Sequence, residues 1–272
     1  MYICNDADMA RLAIASGVNR IFVDLEKNGK YERQGHRDTL ISDHTIEDVA
    51  AVRRAIVGEE LLVRLNPQYS GSEQEIEDAI FAGADIIMLP MFTRLSEIEY
   101  FISAIDGRCK FIPLIETPEA VQLVSKLIHL TGVDELYVGL NDLHLALDMN
   151  FMFELLIDGT VEGISSQCRS VGMPFGFGGI ARIGEGMLSG ELVLAEHKRL
   201  GSDSVILSRT FHRSSTSLDD MRTNLDFKRE IQKLRECENN LLQRDGSAIE
   251  KDVISLKDCI IKIAGHKVVR KA

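Results

Sequence analysis

The sequence lacks tryptophan altogether and has only five cysteines and five prolines among its 272 residues. The cysteines are scattered, odd in number and without a Cys-x-x-Cys pair, which argues against a disulfide framework and against a zinc site of paired cysteines. They are Cys4, Cys109, Cys168, Cys237 and Cys259. We therefore expect reduced, buried thiols and a cytoplasmic location.

Long apolar runs and excess positive charge are missing as well. No stretch approaches the roughly 20 apolar residues that a membrane-spanning helix needs, and no basic segment followed by an apolar one opens the sequence. Lys and Arg number 31 against 42 Asp and Glu, which gives a net charge of -11. An acidic chain binds nucleic acid and anionic membrane surfaces poorly. We therefore expect neither as a partner.

The residues that are present indicate a large folded domain. Hydrophobic residues make up 45% of the chain and charged residues 27%, which is typical of a globular protein. Short apolar runs alternate with segments such as Ile46–Ile56, whose apolar residues recur every three or four positions, as in an amphipathic helix. The apolar runs predict eight strands, at residues 2–4, 20–25, 61–65, 85–89, 110–115, 135–139, 174–178 and 204–207.

Eight strands separated by helices predict a parallel sheet with right-handed crossovers. An open doubly wound sheet is the alternative, but it usually carries a glycine-rich phosphate loop after its first strand. The segment "CNDADMA" (4–10) has no glycine. We therefore predict a (β/α)8 TIM barrel as the catalytic domain, over residues 1–213. Residues 214–272 are predicted to add C-terminal helices, namely the eighth barrel helix and an extension.

The predicted extension carries an apolar stripe that needs a cover. Either the wall of the barrel or a neighbouring subunit could supply it, and an uncovered patch of this kind usually marks an interface. We predict a homo-oligomer that uses the C-terminal helices. The stripe consists of Ile249, Val253, Leu256, Ile260 and Ile263.

Active sites of such barrels lie where the strands end. There Glu116 follows the apolar run 110–115, and a buried carboxylate is costly unless a cation or hydrogen-bond donors compensate it. Taken singly, each polar residue at a strand end could be an ordinary loop residue or a helix cap, but their joint occurrence indicates a site. Those of interest here are Asp24, Glu26, Arg64, Asn66, Met91, Glu116, Asn141 and Asp142.

Five motifs occur in order and at barrel spacing. They are "IFVDLE" (21–26), "VRLN" (63–66), "IMLPM" (87–91), "PLIETPEAV" (113–121) and "LYVGLNDL" (136–143). Together they resemble the HpcH/HpaI aldolase and citrate lyase β-subunit family of the pyruvate/phosphoenolpyruvate barrel superfamily, over about residues 1 to 213. The resemblance implies a divalent metal, Mg²⁺ or Mn²⁺, held by Glu116 and Asp142. It also implies that Arg64 contacts the carboxylate or keto oxygen of a 2-oxo acid or its enolate.

The residue types suit this chemistry. Cleavage of a C–C bond beside a carbonyl leaves an enolate, whose charge a hard cation stabilises. Carboxylate ligands favour Mg²⁺ or Mn²⁺, and no set of His and Cys residues points to zinc. Two alternatives remain open, an ion pair between Glu116 and an arginine, and a salt bridge from Arg64 to Asp24 or Glu26.

Three consecutive residues, Leu140, Asn141 and Asp142, enter a predicted helix, so their backbone N–H groups could bind a substrate carboxylate. Asp142 could also cap this helix without losing its role as a metal ligand. The candidate substrate-binding residues are therefore Arg64, Leu140, Asn141, Asp142 and Glu26.

The sequence departs from the family after the second strand. Lys27 stands where the small aldolases carry the His presumed to act as base, and a long polar insert follows. His36 or His44 could return to the site from this insert, and a histidine is a suitable proton shuttle near neutral pH. The candidate catalytic residues are therefore Arg64, His44 and Asp24.

Two functions remain open. The first is a divalent-metal-dependent C–C lyase or aldolase that acts on a 2-oxo acid or a related acyl substrate. The alternative is a non-catalytic ligand-binding or partner subunit that kept the barrel but lost its base. Retention of Glu116, Asp142 and Arg64 favours the first, whereas Lys27 keeps the second open.

A glycine-rich segment, "PFGFGGIARIGEG" (174–186), comprises the seventh predicted strand and the loop after it. Its glycines could bring the backbone close to a phosphate, at a location known in these barrels. They could equally be needed for tight packing of a strand and its loop. Both interpretations remain open.

Overall fold

The computed structural model describes residues 1–29, 43–212 and 225–271, with side chains described as far as residue 265. Its eight strands form one sheet in which each strand lies beside the next in sequence, and every recorded pairing is parallel. The strands are β1 (Tyr2–Ile3), β2 (Arg20–Asp24), β3 (Glu60–Arg64), β4 (Ile86–Leu89), β5 (Lys110–Ile115), β6 (Leu136–Val138), β7 (Phe175–Ile180) and β8 (Ser204–Leu207).

The sheet curves until its last strand returns to its first. The N–H of Leu207 donates a hydrogen bond to the carbonyl oxygen of Met1 at 2.9 Å, so β8 approaches β1 and the barrel is nearly closed. Helices alternate with the strands around it. The predicted (β/α)8 TIM barrel is therefore confirmed.

The helices lie outside the sheet. They are α1 (Ala7–Ala15), α2 (Ile46–Ala55), α3 (Ser72–Phe81), α4 (Leu95–Ile105), α5 (Pro118–Leu127), α6 (Leu140–Ala146), α7 (Thr160–Val171), α8 (Gly190–Leu200), α9 (Phe227–Leu241) and α10 (Gly246–Lys271). Two short 3₁₀ helices add Met152–Leu156 and Arg209–Phe211. At α5, Thr117 caps the helix by accepting from the N–H of Ala120, and Pro118 occupies the first turn.

Residues alternate along the strands between two apolar layers, as the period of two requires. One layer faces the helices and contains, for example, Ile21 and Leu61. The other fills the inside of the barrel and is formed by Phe22, Leu62, Ile86, Met88, Ile112, Leu114 and Tyr137. The packed interior leaves chemistry to the ends of the strands.

The C-terminal helices belong to the same packed body. Helix α9 contacts α1 and α8, so it occupies the place of the eighth helix of the barrel. Helix α10 packs against α8 and against Met152–Leu156, with Leu256, Ile260 and Ala264 buried. The barrel of the same chain therefore covers much of the apolar stripe. The homo-oligomer stays a prediction, and the predicted boundary at 213/214 lies outside the described residues.

Membrane crossing needs a helix that is both long and strongly apolar, and none of the described helices meets both conditions.

The packing of α10 can be tested with two neighbouring isoleucines. Ile260 is fully buried, whereas Ile261 is 54% exposed. Ile260→Ala should lower the free energy of unfolding by about 2–5 kcal/mol, because the shortened side chain leaves a cavity. Ile261→Ala should change it by no more than about 0.5 kcal/mol. Urea unfolding of both variants measures the difference, and equal effects would contradict the packing described for α10.

Candidate active site

An arginine and two carboxylates meet at the mouth of the barrel, the end at which the strands finish. Asp24 and Arg64 are paired across β2 and β3, and the guanidinium binds the Asp24 carboxylate in a bidentate manner, with Nε–Oδ1 and Nη2–Oδ2 both 2.8 Å. Arg64 Nη2 also lies 3.4 Å from Glu26 Oε2, and the guanidinium lies 5.5 Å from the centre of the Phe22 ring. The salt-bridge interpretation of Arg64 is therefore confirmed, and its role in substrate binding stays a prediction.

Glu116 follows β5 and is only 2% exposed. Its Oε1 accepts a hydrogen bond of 2.9 Å from the N–H of Met91. Met91 has a φ of 54°, which is uncommon for a residue other than glycine. On the other side, a Cβ atom at Gly139 would lie 2.8 Å from Glu116 Oε2. The carboxylate is thus held between a strained backbone amide and a position that only glycine fits.

The charge of Glu116 is poorly compensated. Burial raises the pKa of Glu116 to about 8, the negative charges of Asp142 and Glu26 also raise it, and Arg64 lowers it. Within the described residues Glu116 forms no ion pair, so the alternative of a Glu116–arginine salt bridge is not found there. A cation between Glu116 and Asp142 would relieve the repulsion.

Asp142 lies in the first turn of α6, two residues after Leu140 begins the helix. Its charge acts on Glu116, so the structure brings the two predicted metal ligands together. Gly139 precedes the helix, and no side chain caps its first turn. The backbone of Leu140, Asn141 and Asp142 thus forms the first turn of α6, directly after β6, and its role in binding a substrate carboxylate stays a prediction.

No group of three or more His, Cys, Asp and Glu side chains within the described ranges is arranged to hold a metal ion. A metal at Glu116 and Asp142 would therefore have few protein ligands. Mg²⁺ is commonly held by one or two carboxylates, with water and substrate oxygens completing its shell. The donor set is compatible with Mg²⁺ or Mn²⁺ on these terms.

His44 lies beside the acidic cluster. Its Nδ1 accepts a hydrogen bond of 3.0 Å from the N–H of Asp24, so the insert after β2 does return this histidine to the mouth. A neutral ring that accepts at Nδ1 carries its proton on Nε2. Nε2 could act as a base only if this hydrogen bond broke. The catalytic role of His44 stays a prediction, and His36 lies outside the described residues.

Two supporting residues had little signal in the sequence. Asn66, in "VRLN", accepts hydrogen bonds from the N–H groups of Lys27 and Asn28, and Glu75 of α3 in turn binds the Asn66 amide. The motif indicated a strand end, but no spacing showed which loop Asn66 would hold. The side chain of Lys27, which replaces the family His, is exposed.

Packing explains three of the five glycines in the glycine-rich segment. A Cβ atom would lie 2.6 Å from the Ser204 carbonyl oxygen at Gly176, 2.6 Å from Leu140 Cδ1 at Gly178 and 2.6 Å from the Leu188 carbonyl oxygen at Gly186. Gly178 also has a φ of +52°. The packing interpretation therefore accounts for these positions without a phosphate.

No protein-family model matches the chain, and no curated protein matches its sequence. Solved structures do match its fold. One is an HpcH/HpaI aldolase/citrate lyase family protein from Burkholderia cenocepacia J2315, with a TM-score of 0.60 and 15% identity, covering 86% of this chain and 94% of the other. Another is the HpcH/HpaI aldolase from Desulfitobacterium hafniense DCB-2, with a TM-score of 0.58 and 13% identity, covering 90% and 93%.

A third similar structure is citrate synthase SbnG, with a TM-score of 0.58 and 16% identity, covering 82% of this chain and 92% of the other. At such identities the likeness shows the fold. The predicted resemblance is confirmed at that level, since the chain shares its architecture with HpcH/HpaI aldolase/citrate lyase proteins over most of its length.

The raised pKa of Glu116 predicts how stability depends on pH. Between the ordinary value of 4.5 and about 8, the Glu116 carboxyl holds more proton in the folded protein than in the unfolded chain. The contribution of Glu116 to the free energy of unfolding should therefore fall as pH rises through this range, by about 1.4 kcal/mol per unit of pKa shift at most. Glu116→Gln should remove this part of the pH dependence.

Urea unfolding between about pH 5 and pH 9, in the presence of a chelator, measures this pH dependence. Glu119→Gln is the matched control, because Glu119 is an exposed residue in the next helical turn. A Glu116→Gln variant that keeps the wild-type slope would show that the Glu116 carboxyl titrates normally.

Proposed function

We propose that this protein is a divalent-metal-dependent C–C lyase or aldolase that acts on a 2-oxo acid through its enolate. One observation carries the proposal, namely the buried Glu116 carboxyl beside Asp142, with its pKa raised to about 8 and Arg64 close by. Such a perturbed cluster at the mouth of a barrel is typical of a catalytic site. The shared fold with aldolase and citrate lyase proteins is consistent with it.

Glu116 and Asp142 would hold the metal, Mg²⁺ or Mn²⁺. When bound, the ion supplies a Lewis acid at the keto oxygen of the substrate and stabilises the negative charge that develops there. The fit rests on the donors, since both side chains offer hard oxygen ligands and their mutual repulsion disfavours the cation-free site. The first turn of α6 offers backbone N–H groups for a substrate carboxylate.

Arg64 would orient the substrate through the part of its guanidinium that Asp24 leaves available. Nε and Nη2 are engaged by Asp24, and Nη2 also faces Glu26. Nη1 forms no hydrogen bond within the described residues. One nitrogen thus remains to donate to a substrate oxygen, which suits a single keto or carboxylate oxygen better than a two-point contact.

We also retain the cytoplasmic location and the homo-oligomer as proposals.

A second candidate function is a barrel that binds its ligand without catalysis. The contact of His44 favours it, because Nδ1 accepts from the N–H of Asp24 and the proton therefore resides on Nε2. A ring held in this way is not a base. The two functions differ in whether bound 2-oxo acid exchanges its protons.

Solvent exchange discriminates the two. With Mg²⁺ or Mn²⁺, the protein should replace the methyl protons of pyruvate by deuterium, because the enolate picks up solvent deuterons. Glu116→Gln and Asp142→Asn should each reduce the exchange rate at least about a hundredfold. NMR of pyruvate measures the rate, and Glu119→Gln is the control. Binding of pyruvate without exchange would support the non-catalytic function instead.

Metal binding itself gives an independent measurement. Mn²⁺ affinity, followed by calorimetry, should fall at least about tenfold in both Glu116→Gln and Asp142→Asn, because each removes one of the two anionic ligands. Undiminished affinity in both variants would rule out the proposed metal site.

Arg64 can be tested without leaving its carboxylate partners uncompensated. Arg64→Lys keeps the positive charge but cannot bind Asp24 as a planar fork while presenting a separate nitrogen to the substrate. The variant should bind pyruvate about tenfold more weakly while its Mn²⁺ affinity changes little. Calorimetric titrations with each ligand measure both. An unchanged pyruvate affinity would show that Arg64 has only a structural role.

A further inference from the structure

Every backbone N–H group in the segment that carries Glu26 donates a hydrogen bond. The N–H of Asp24 donates to His44 Nδ1 at 3.0 Å, and that of Leu25 donates to the carbonyl oxygen of Arg64 at 2.9 Å. The N–H of Glu26 donates to Asp24 Oδ1 at 3.2 Å. The next two donors, in Lys27 and Asn28, both reach Asn66 Oδ1, at 2.8 and 2.9 Å. All five N–H groups of residues 24–28 thus donate hydrogen bonds, although β2 ends at Asp24.

The polar groups of Asn66 also have hydrogen-bond partners of their own. Its Nδ2 donates to Glu75 Oε1 at 2.5 Å and lies 3.4 Å from the carbonyl oxygen of Leu25. Its own N–H lies 3.3 Å from Glu75 Oε2. Asn66 is buried, so each of these groups would be costly to leave unpaired. Asn66 therefore joins the ends of β2 and β3 to α3.

We propose that Asn66 is a positioning residue that keeps Glu26 against Arg64, and thereby fixes how Arg64 faces the substrate. Asp24 sits in β2 and is held by the sheet, but Glu26 lies beyond the strand. The backbone N–H of Glu26 donates to Asp24, and the next N–H, that of Lys27, donates to Asn66. Loss of the Asn66 contacts would free the segment at residue 27 and release Glu26 from the guanidinium. The catalytic consequence of this inference rests on the proposed function, whereas its structural part does not.

Asn66→Ala removes the acceptor for both N–H groups. Amide hydrogen exchange at Lys27 and Asn28 should accelerate roughly tenfold or more, because both amides lose their partner. The side-chain Nε–H of Arg64, observed by NMR, should also exchange faster as its surroundings loosen. Gln74→Ala is the control, since Gln74 is an exposed neighbour of Glu75 that bonds Asp78. These readings are independent of any activity.

A double variant provides the rescue. Asn66→Asp places a second acceptor against the Glu75 carboxylate, so it should lose the anchor to α3 and loosen the segment. Adding Glu75→Gln restores one hydrogen bond with its direction reversed, because the glutamine amide can donate to the new carboxylate. Exchange at Lys27 and Asn28 should then return toward the wild-type rate, which a general loss of stability would not explain.

Kinetics separate positioning from simple support of the fold. In pyruvate exchange, Asn66→Ala should raise KM roughly tenfold and change kcat by less than about threefold, with Mn²⁺ affinity retained. Folded Asn66→Ala protein with unchanged exchange at Lys27 and at the Arg64 side chain would overturn the inference. So would faster exchange with an unchanged KM. Wild-type protein that does not deuterate pyruvate would refute the proposed function alone, and the exchange data would still decide the role of Asn66.

Discussion

The ion pairs of the Arg64 guanidinium, whose side chain is 15% exposed, are the interactions on which the arrangement of the barrel mouth depends. The guanidinium binds Asp24 through two hydrogen bonds and lies within 3.4 Å of Glu26. Both carboxylates are buried, and a buried charge that loses its partner destabilises a protein by about 3–5 kcal/mol. The ends of β2 and β3 are therefore tied together by this one side chain. Asn66 completes the tie through the backbone that follows β2.

Much of this arrangement could be predicted from the sequence because a parallel barrel turns order along the chain into proximity in space. Once eight apolar runs are recognised, the residues that follow them must lie at one end. Asp24, Arg64, Glu116 and Asp142 were identified in this way, and the structure brings their charges within reach of one another. The resemblance to known motifs added which chemistry to expect there.

The contacts that were not predicted depend on directions that spacing does not encode. The amide of Met91 faces Glu116 because the Met91 backbone adopts a positive φ. A methionine in the sequence does not indicate that conformation. The link from Asn66 to Glu75 spans a loop and a helical turn. Two surfaces could bury the apolar stripe on α10, namely the barrel of the same chain and a second copy. The hydrophobic pattern of one helix does not distinguish between them.

The two ends of the barrel handle charge in opposite ways. At the end where the strands begin, Arg20 binds both Glu60 and Glu135, and Lys110 also binds Glu60. Cations and carboxylates are thus matched there, as expected of an end that only stabilises the fold. At the mouth, burial and the negative charges of Asp142 and Glu26 raise the pKa of Glu116, and Arg64 is the described cation that lowers it.

Repulsion of this kind at the buried Glu116 carboxyl raises the free energy of the folded state when the group is ionised. If the proposed Mg²⁺ or Mn²⁺ binds at Glu116 and Asp142, the relief of this repulsion would contribute to its affinity. Because the pKa of Glu116 is raised to about 8, a proton and the proposed metal would compete for this carboxylate. The proposed metal would then bind more weakly as pH falls through the neutral range.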